Sequence, residues 1–226
     1  MSLSAYKSEF IELLVKAEAL KFGTFTLKSG RIAPYFLNVG SFYTGELMHQ
    51  LSRFYAQAYL DSGIEVEVIF GPAYKGIPLS VATTCALYSE FKENISFCFN
   101  RKEAKNYGDA KGNPLVGAPL NEKTRVLLID DVITAGTAIR ESVELLRENG
   151  NPQIAGVLIA MNRMEKNNDG QNALEEVEKI LGVKVFSIVN LNEVIEVLYN
   201  REVGGQIYID DEKMEMIKKY REEYGV

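Results

Sequence analysis

Short apolar runs rich in Val, Ile and Phe alternate along this chain with segments in which apolar residues recur every three to four positions. The runs lie at residues 66–70, 95–99, 126–129, 154–160 and 183–189, each short enough for a strand. They are apolar at consecutive positions, which predicts strands covered on both faces. Between them Leu47, Leu51, Phe54, Tyr55 and Ala58 are spaced by three and four, as are Ile139, Val143 and Leu146, and both sets predict helices that lay an apolar face on the sheet. The expected fold is α/β: a mostly parallel five-stranded sheet flanked by helices.

Ahead of the first of these strands, residues 24–27 and 35–39 flank the turn Lys28-Ser29-Gly30-Arg31. This pattern predicts a small antiparallel hairpin outside the sheet, part of an N-terminal hood of about residues 1–40. Residues 100–119 are polar and carry Gly108, Gly112, Pro114, Gly117 and Pro119, a connection long enough to read as a functional lid. Residues 213–224 read as a solvated helix. No internal repeat is visible, and residues 1–226 are expected to form one domain.

Composition narrows the classes of function. The chain has 226 residues, 46% hydrophobic and 25% charged, with a net charge of -6 and no basic run able to follow a phosphate backbone. Nucleic acid is therefore not an expected partner. The start, MSLSAYKSEFIELL, is an acidic amphipathic pattern rather than a leader or a membrane span, so a cytoplasmic protein with no membrane association is expected. Cys85 and Cys98 lie in apolar segments and read as buried free thiols, since two thiols and one histidine do not close a zinc site. The one histidine, His49, falls on a polar helix face, and Tyr55 and Tyr59, four apart, read as core or interface.

The most informative stretch is VLLIDDVITAGTA, residues 126–138: an apolar strand, two adjacent carboxylates, then a turn of small residues leading into a helix. A strand end opening onto a helix N-terminus presents unpaired N–H groups and the positive end of the helix dipole, which suits a phosphate. Ala135 and Gly136 allow close approach, and the hydroxyls of Thr134 and Thr137 add donors. Ligands of such sheets bind beyond the carboxyl ends of the strands, where Asp130 and Asp131 suit the hydroxyls of a ribose. The Gly-Lys-Ser/Thr of a nucleotide-binding P-loop and the three glycines of the dinucleotide fingerprint are both absent.

This stretch resembles the phosphoribosyl-diphosphate motif of the type I phosphoribosyltransferases, and the resemblance implies that fold. It assigns Asp130, Asp131, Val132, Ile133, Thr134, Ala135, Gly136, Thr137 and Ala138 to the sugar phosphate. TLKSGRIAPYFLN, residues 26–38, resembles the N-terminal signature of the orotate phosphoribosyltransferases. By that resemblance Lys28 meets the reactants and Phe36 with Leu37 holds the orotate ring, joined by Thr134; many family members have a second Phe where Leu37 stands. GPAYKGIPL, residues 71–79, resembles the family's diphosphate loop and carries Tyr74 and Lys75. RKEAKNYGDAKGNPLVGAPL, residues 101–120, resembles its mobile catalytic loop, about residues 101–119, with Arg101, Lys102, Lys105 and Tyr107 toward the diphosphate. MNRMEK, residues 161–166, places Arg163 where the family pairs an arginine with the substrate's carboxylate, for which a guanidinium fork is well suited.

The resemblance spans roughly residues 24–165 in ordered blocks. It implies a pentosyltransferase that joins orotate and 5-phosphoribosyl-1-diphosphate, with Lys28, Arg101, Lys105 and Asp131 as catalytic residues. Magnesium is expected to bind mainly through the sugar diphosphate near Asp130 and Asp131, and the loop to reach the neighbouring site of a homodimer. One departure stands out: where the family's loop has a histidine this chain has Tyr107, neutral at pH 7 and still a hydrogen-bond donor. A purine-base transferase and a sugar-phosphate sensor that binds nucleic acid are the rival readings; the first leaves Arg163 without a carboxylate to meet, and the net charge opposes the second.

Overall fold

The computed structural model describes residues 3–27, 30–103, 113–134, 136–167 and 169–226. Its first part runs α1 (Ala5–Lys16), β1 (Leu20–Thr26), β2 (Ile32–Leu37) and α2 (Gly45–Ser62). The sheet is then built from β3 (Val68–Gly71), α3 (Gly76–Ala86), β4 (Ser96–Asn100), β5 (Leu115–Gly117), β6 (Arg125–Asp130), α4 (Thr137–Glu148), β7 (Gln153–Asn162), α5 (Ala173–Leu181) and β8 (Val185–Asn190). After these come α6 (Leu191–Leu198), a small hairpin of β9 (Glu202–Val203) and β10 (Gln206–Ile207), and α7 (Asp211–Tyr224).

Why the strands read as unbroken apolar runs is visible in β6. Val126 and Leu128 face the core under α4 and α5, while Leu127 and Ile129 face the opposite core shared with α1, α2 and the N-terminal hairpin. Side chains alternate between the two sides of a strand, and here both sides are dry. β7 repeats the pattern, with Val157 and Ile159 on one side and Leu158 and Ala160 on the other.

The sheet order is β5-β4-β3-β6-β7-β8, and every neighbouring pair is parallel except β4 and β5. The five expected strands are present, and β5 is a sixth that lies inside the segment expected to be a lid. It is only three residues long and bounded by Pro114 and a glycine, so its apolar pair Leu115 and Val116 gives no periodic signal. Gly117 ends it at φ +106, where a Cβ would run into the Phe97 carbonyl of β4. Only glycine lets that edge strand close on its neighbour.

β1 and β2 form the expected antiparallel hairpin. α7 differs from the expected solvated helix: Ile217 and Tyr220 are buried, and Tyr220 meets the buried Tyr35 ring of β2 edge-on at 6.1 Å between centroids. Cys98 is buried as expected, but Cys85 is exposed. α3 mixes small apolar residues with Ser80, Thr83 and Thr84, which are buried, so its pattern does not mark which face turns outward. His49 is exposed, at 3.5 Å from Glu90. Among the described residues, no helix is long and apolar enough to cross a membrane.

The chain leaves β3 toward β4 on one side and returns through β6 on the other, so the turns after β3 and β6 lie side by side at a switch point of the topology. Gly71 and Gly76 make the first of these turns possible: a Cβ on Gly71 would overlap the Gly76 carbonyl, and one on Gly76 would crowd Pro72 and Gly71. Gly71→Ala should therefore lower the urea midpoint by an amount equivalent to about 2 kcal/mol or more. An unchanged midpoint would show that the turn has room the backbone geometry denies.

Candidate active site

At the carboxyl ends of β3, β6 and β7 lies a cavity of about 680 Å³, bounded on its far side by β2 of the hairpin. Its floor is the turn after β6. Asp130 and Asp131 each accept a hydrogen bond from the next residue's N–H, at 2.9 and 2.8 Å, so the backbone itself sets the direction of both carboxylates. The Tyr55 hydroxyl, on the fully buried face of α2, donates to the Asp130 carbonyl at 2.9 Å, and the Ala160 N–H donates to the Asp131 carbonyl at 2.9 Å. The end of the strand is thus held from the helix layer and from β7 before any ligand arrives.

The two carboxylates live in different surroundings. Asp131, 6% exposed, receives Lys75 at 2.6 Å. Among the described residues Asp130 has no such ion pair; burial, then the neighbouring Asp131 charge, pushes its carboxyl up to about 6. Lys75 is itself 54% exposed, so its contact with Asp131 is weak in net terms and open to exchange for an incoming anion.

Beyond the carboxylates, Ile133 is buried in the α4 side of the core, so what it offers a ligand is backbone. Val132 packs toward the opposite core. Thr134, Gly136, Thr137 and Ala138 border the cavity where α4 begins. Gly136 has φ +67, and a Cβ there would meet Val177 of α5, so the turn is drawn tight against the helix layer. Ala135 lies outside the described residues.

On the hairpin side, Phe36 is part exposed and stacks at 5.8 Å on Phe25, while Leu37 is buried; both border the cavity. Lys28 lies outside the described residues. Opposite stands Arg163, about nine-tenths buried and paired with Glu165 at 2.7 Å. Burial works against its charge, but Glu165 and the nearby tyrosines more than offset this, and its guanidinium is held above the usual range. Lys75, Asp130, Asp131, Thr134, Phe36 and Arg163 thus share one cavity.

The remaining predicted residues are gathered differently. Arg101 turns its guanidinium onto the carbonyls of Asn113 and Leu115, at 3.4 and 3.1 Å, and its N–H donates to Pro114 at 2.7 Å. It braces the β4 and β5 ends rather than lining the cavity. Lys102 lies over the Tyr74 ring at 5.0 Å, with Tyr74 69% exposed on the rim. Asn100 holds the turn between them by accepting from the Ala73 N–H at 2.8 Å. Lys105 and Tyr107 lie outside the described residues.

Several site residues carry no role in the sequence reading. Tyr55 reads as core, and nothing in its spacing shows that its hydroxyl reaches Asp130. Arg31, within the quoted signature, donates to the carbonyls of Lys166 and Asn167 at 2.9 and 3.1 Å and so ties the hairpin to the loop after β7. Tyr35 and Glu165 stand beside named residues in the quoted stretches.

Among the described residues no group of three or more His, Cys, Asp or Glu side chains is placed to hold a metal ion. Two carboxylates with an open side fit an ion that takes most of its oxygens from a phosphorylated ligand.

A cavity at the switch point of a parallel sheet, floored by paired carboxylates and a helix N-terminus, defines a phosphoribosyl transferase domain, and the model of that family matches residues 38–201. The orotate phosphoribosyltransferase of Photorhabdus laumondii is 50% identical over 224 residues, covering 99% of this chain and 100% of that one. That of Vibrio cholerae is also 50% identical, with the same coverage. The crystal structure of the Francisella tularensis orotate phosphoribosyltransferase superposes with a TM-score of 0.82 at 37% identity, over 96% of this chain and 100% of that one. The chain belongs to the orotate phosphoribosyltransferase family.

The raised Asp130 carboxyl has a consequence for stability. In the unfolded chain an aspartate titrates near the ordinary 3.8, so between there and about 6 the folded state holds a proton that the unfolded state has lost. Folding stability attributable to Asp130 therefore falls as pH rises through that window, by up to about 3 kcal/mol. Asp130→Asn, which imitates the protonated side chain, should raise the Tm of the ligand-free protein at pH 7 and lose that advantage as the pH is brought below about 4. Calorimetry across this range tests it; a variant less stable at pH 7 would show that the ionised carboxylate is held favourably.

Proposed function

We propose that this chain transfers the 5-phosphoribosyl group from 5-phosphoribosyl-1-diphosphate to orotate, forming orotidine 5'-monophosphate and pyrophosphate in pyrimidine biosynthesis. The observation that carries the proposal is the joining, in one cavity, of the paired carboxylates at the α4 N-terminus with the buried Arg163. The first suits a ribose with its 5'-phosphate, the second a planar anion.

In this reading the bond from the anomeric carbon to the diphosphate breaks as the orotate ring nitrogen bonds to that carbon from the opposite face. The ring nitrogen is acidic enough to need no strong enzymic base. The turn at 134–138 holds the 5'-phosphate, and Asp130 and Asp131 accept from the ribose hydroxyls beside the developing positive charge. Lys75 leaves Asp131 for the diphosphate, and by the resemblance Tyr74, Lys102, Lys105 and Tyr107 serve the same leaving group, which Arg101 joins only on releasing the carbonyls of Asn113 and Leu115. Phe36 and Leu37 hold the orotate ring with Thr134, Lys28 meets both reactants, and Arg163 takes the carboxylate. Bound magnesium supplies charge neutralisation of the diphosphate near Asp130 and Asp131. Exclusion of water by the segment 101–119, and its reach into a neighbouring site in a homodimer, belong to the same proposal.

One incubation decides the acceptor: protein, magnesium and phosphoribosyl diphosphate with orotate, uracil, adenine or hypoxanthine in turn, following nucleotide formation. Orotate alone should give product. Product from adenine or hypoxanthine instead would make this a purine-base enzyme, and sugar-phosphate binding without turnover would make it a sensor.

Arg163→Ala should raise the KM for orotate by about 10- to 100-fold, the loss of a hydrogen-bonded charge partner, with little change in the KM for the sugar diphosphate. If the sugar diphosphate suffers instead, the base site lies elsewhere.

A further inference from the structure

The surroundings of Arg163 extend well behind the cavity wall. β7 ends at Asn162, whose Oδ1 accepts from the Met164 N–H at 2.8 Å, and Met164 sits at φ +53 in the left-handed region. That turn brings residues 163 and 165 together, and Glu165 Oε1 accepts from Arg163 Nη2 at 2.7 Å. The same oxygen accepts from the Tyr35 hydroxyl at 2.6 Å, and the Tyr35 ring lies 5.5 Å from the guanidinium carbon. Both charged side chains are nearly nine-tenths buried, where such a contact is strong and directional.

Glu165 is in turn fixed from behind by the last residues of the chain. Gly225 pairs with it as an antiparallel bridge: the Lys166 N–H donates to the Tyr224 carbonyl at 2.8 Å, and the Val226 N–H donates to the Met164 carbonyl at 3.1 Å. Tyr220 packs on Tyr35, and Arg31 lies 4.7 Å over the Tyr224 ring. Hairpin, post-β7 turn and C-terminal end therefore converge on residue 165, Tyr35 and Arg163 at its carboxylate and residues 224–226 at the backbone around it. Against this close bracing, Arg163 Nε is buried with no acceptor among the described residues. The guanidinium is held by Glu165 at Nη2, and its Nε is closed off within the same packing.

We propose that Glu165 is a positioning residue for the base: with Tyr35 and the C-terminal bridge it fixes one corner of the Arg163 guanidinium and so presents the rest of it to the anionic group of the acceptor. The proposal rests on the activity proposed above. Aligned this way, Arg163 meets a carboxylate without first reorganising, and a pyrimidine lacking the carboxylate leaves its donors unpaired.

The test is steady-state kinetics of the full chain with orotate and phosphoribosyl diphosphate varied separately. Glu165→Ala should raise the KM for orotate by about tenfold or more, with kcat and the KM for the sugar diphosphate within about twofold of wild type. Glu165→Gln, whose amide oxygen still accepts from Arg163 and Tyr35, should recover most of that loss. Tyr35→Phe keeps the ring and its packing, so it serves if Glu165→Ala does not fold; a rise of about threefold in the same constant is expected. An unchanged KM for orotate in the folded variants, or an equal rise for both substrates, overturns the positioning role while leaving the activity standing. A wild-type protein that makes no nucleotide from orotate overturns the activity and this role with it.

Discussion

Neighbouring carboxylates repel, and burial sharpens the repulsion, so the end of β6 is the place where this fold works against itself. The chain meets the difficulty with rigid neighbours. Asp131 has Lys75, each carboxylate accepts the N–H that follows it, and Tyr55 with Ala160 holds the two carbonyls. Asp130 is left with its carboxyl pushed up to about 6. Any partner that donates hydrogen bonds to these oxygens or brings a cation relieves that burden.

The layered fold was legible because each buried strand needs apolar residues on both faces, and that requirement leaves uninterrupted runs such as VLLI before Asp130. The tight turn into α4 was legible for a similar reason: small residues and a glycine in the left-handed region let the chain close against the helix layer, as Gly136 does. β5 was not, since three residues cannot display a period, and neither was the outward turn of Cys85 on a helix whose hydroxyl residues are the buried ones. The roles of Tyr55, Tyr35 and Glu165 depend on partners distant in sequence, at separations of 75 for Tyr55 with Asp130 and 130 for Tyr35 with Glu165. Local pattern carries no trace of such pairings. The C-terminal helix was underestimated because two buried residues, Ile217 and Tyr220, are enough to dock it when the surface they meet is already built.

The Arg163 side of the cavity differs in construction from the Asp130 side. Asp130 ends β6 and Thr137 begins α4, where the geometry follows from the topology. Arg163 instead depends on three pieces brought from separate parts of the chain: the hairpin, the turn after β7 and the C-terminal end. A scaffold that takes the first part from the sheet and assembles the second from separate pieces can change one side of the cavity without disturbing the other.

The short antiparallel strand at the sheet edge has a consequence for the segment before it. Because Arg101 is tied to Asn113, Pro114 and Leu115, and β5 is zipped to β4 as far as Gly117, the two ends of the intervening segment are stapled together at its base. Residues gained or lost between those staples need not shift any strand, and lengthening a closed excursion by one or two residues costs only a small fraction of a kcal/mol. The length of that segment is thereby uncoupled from the stability of the sheet.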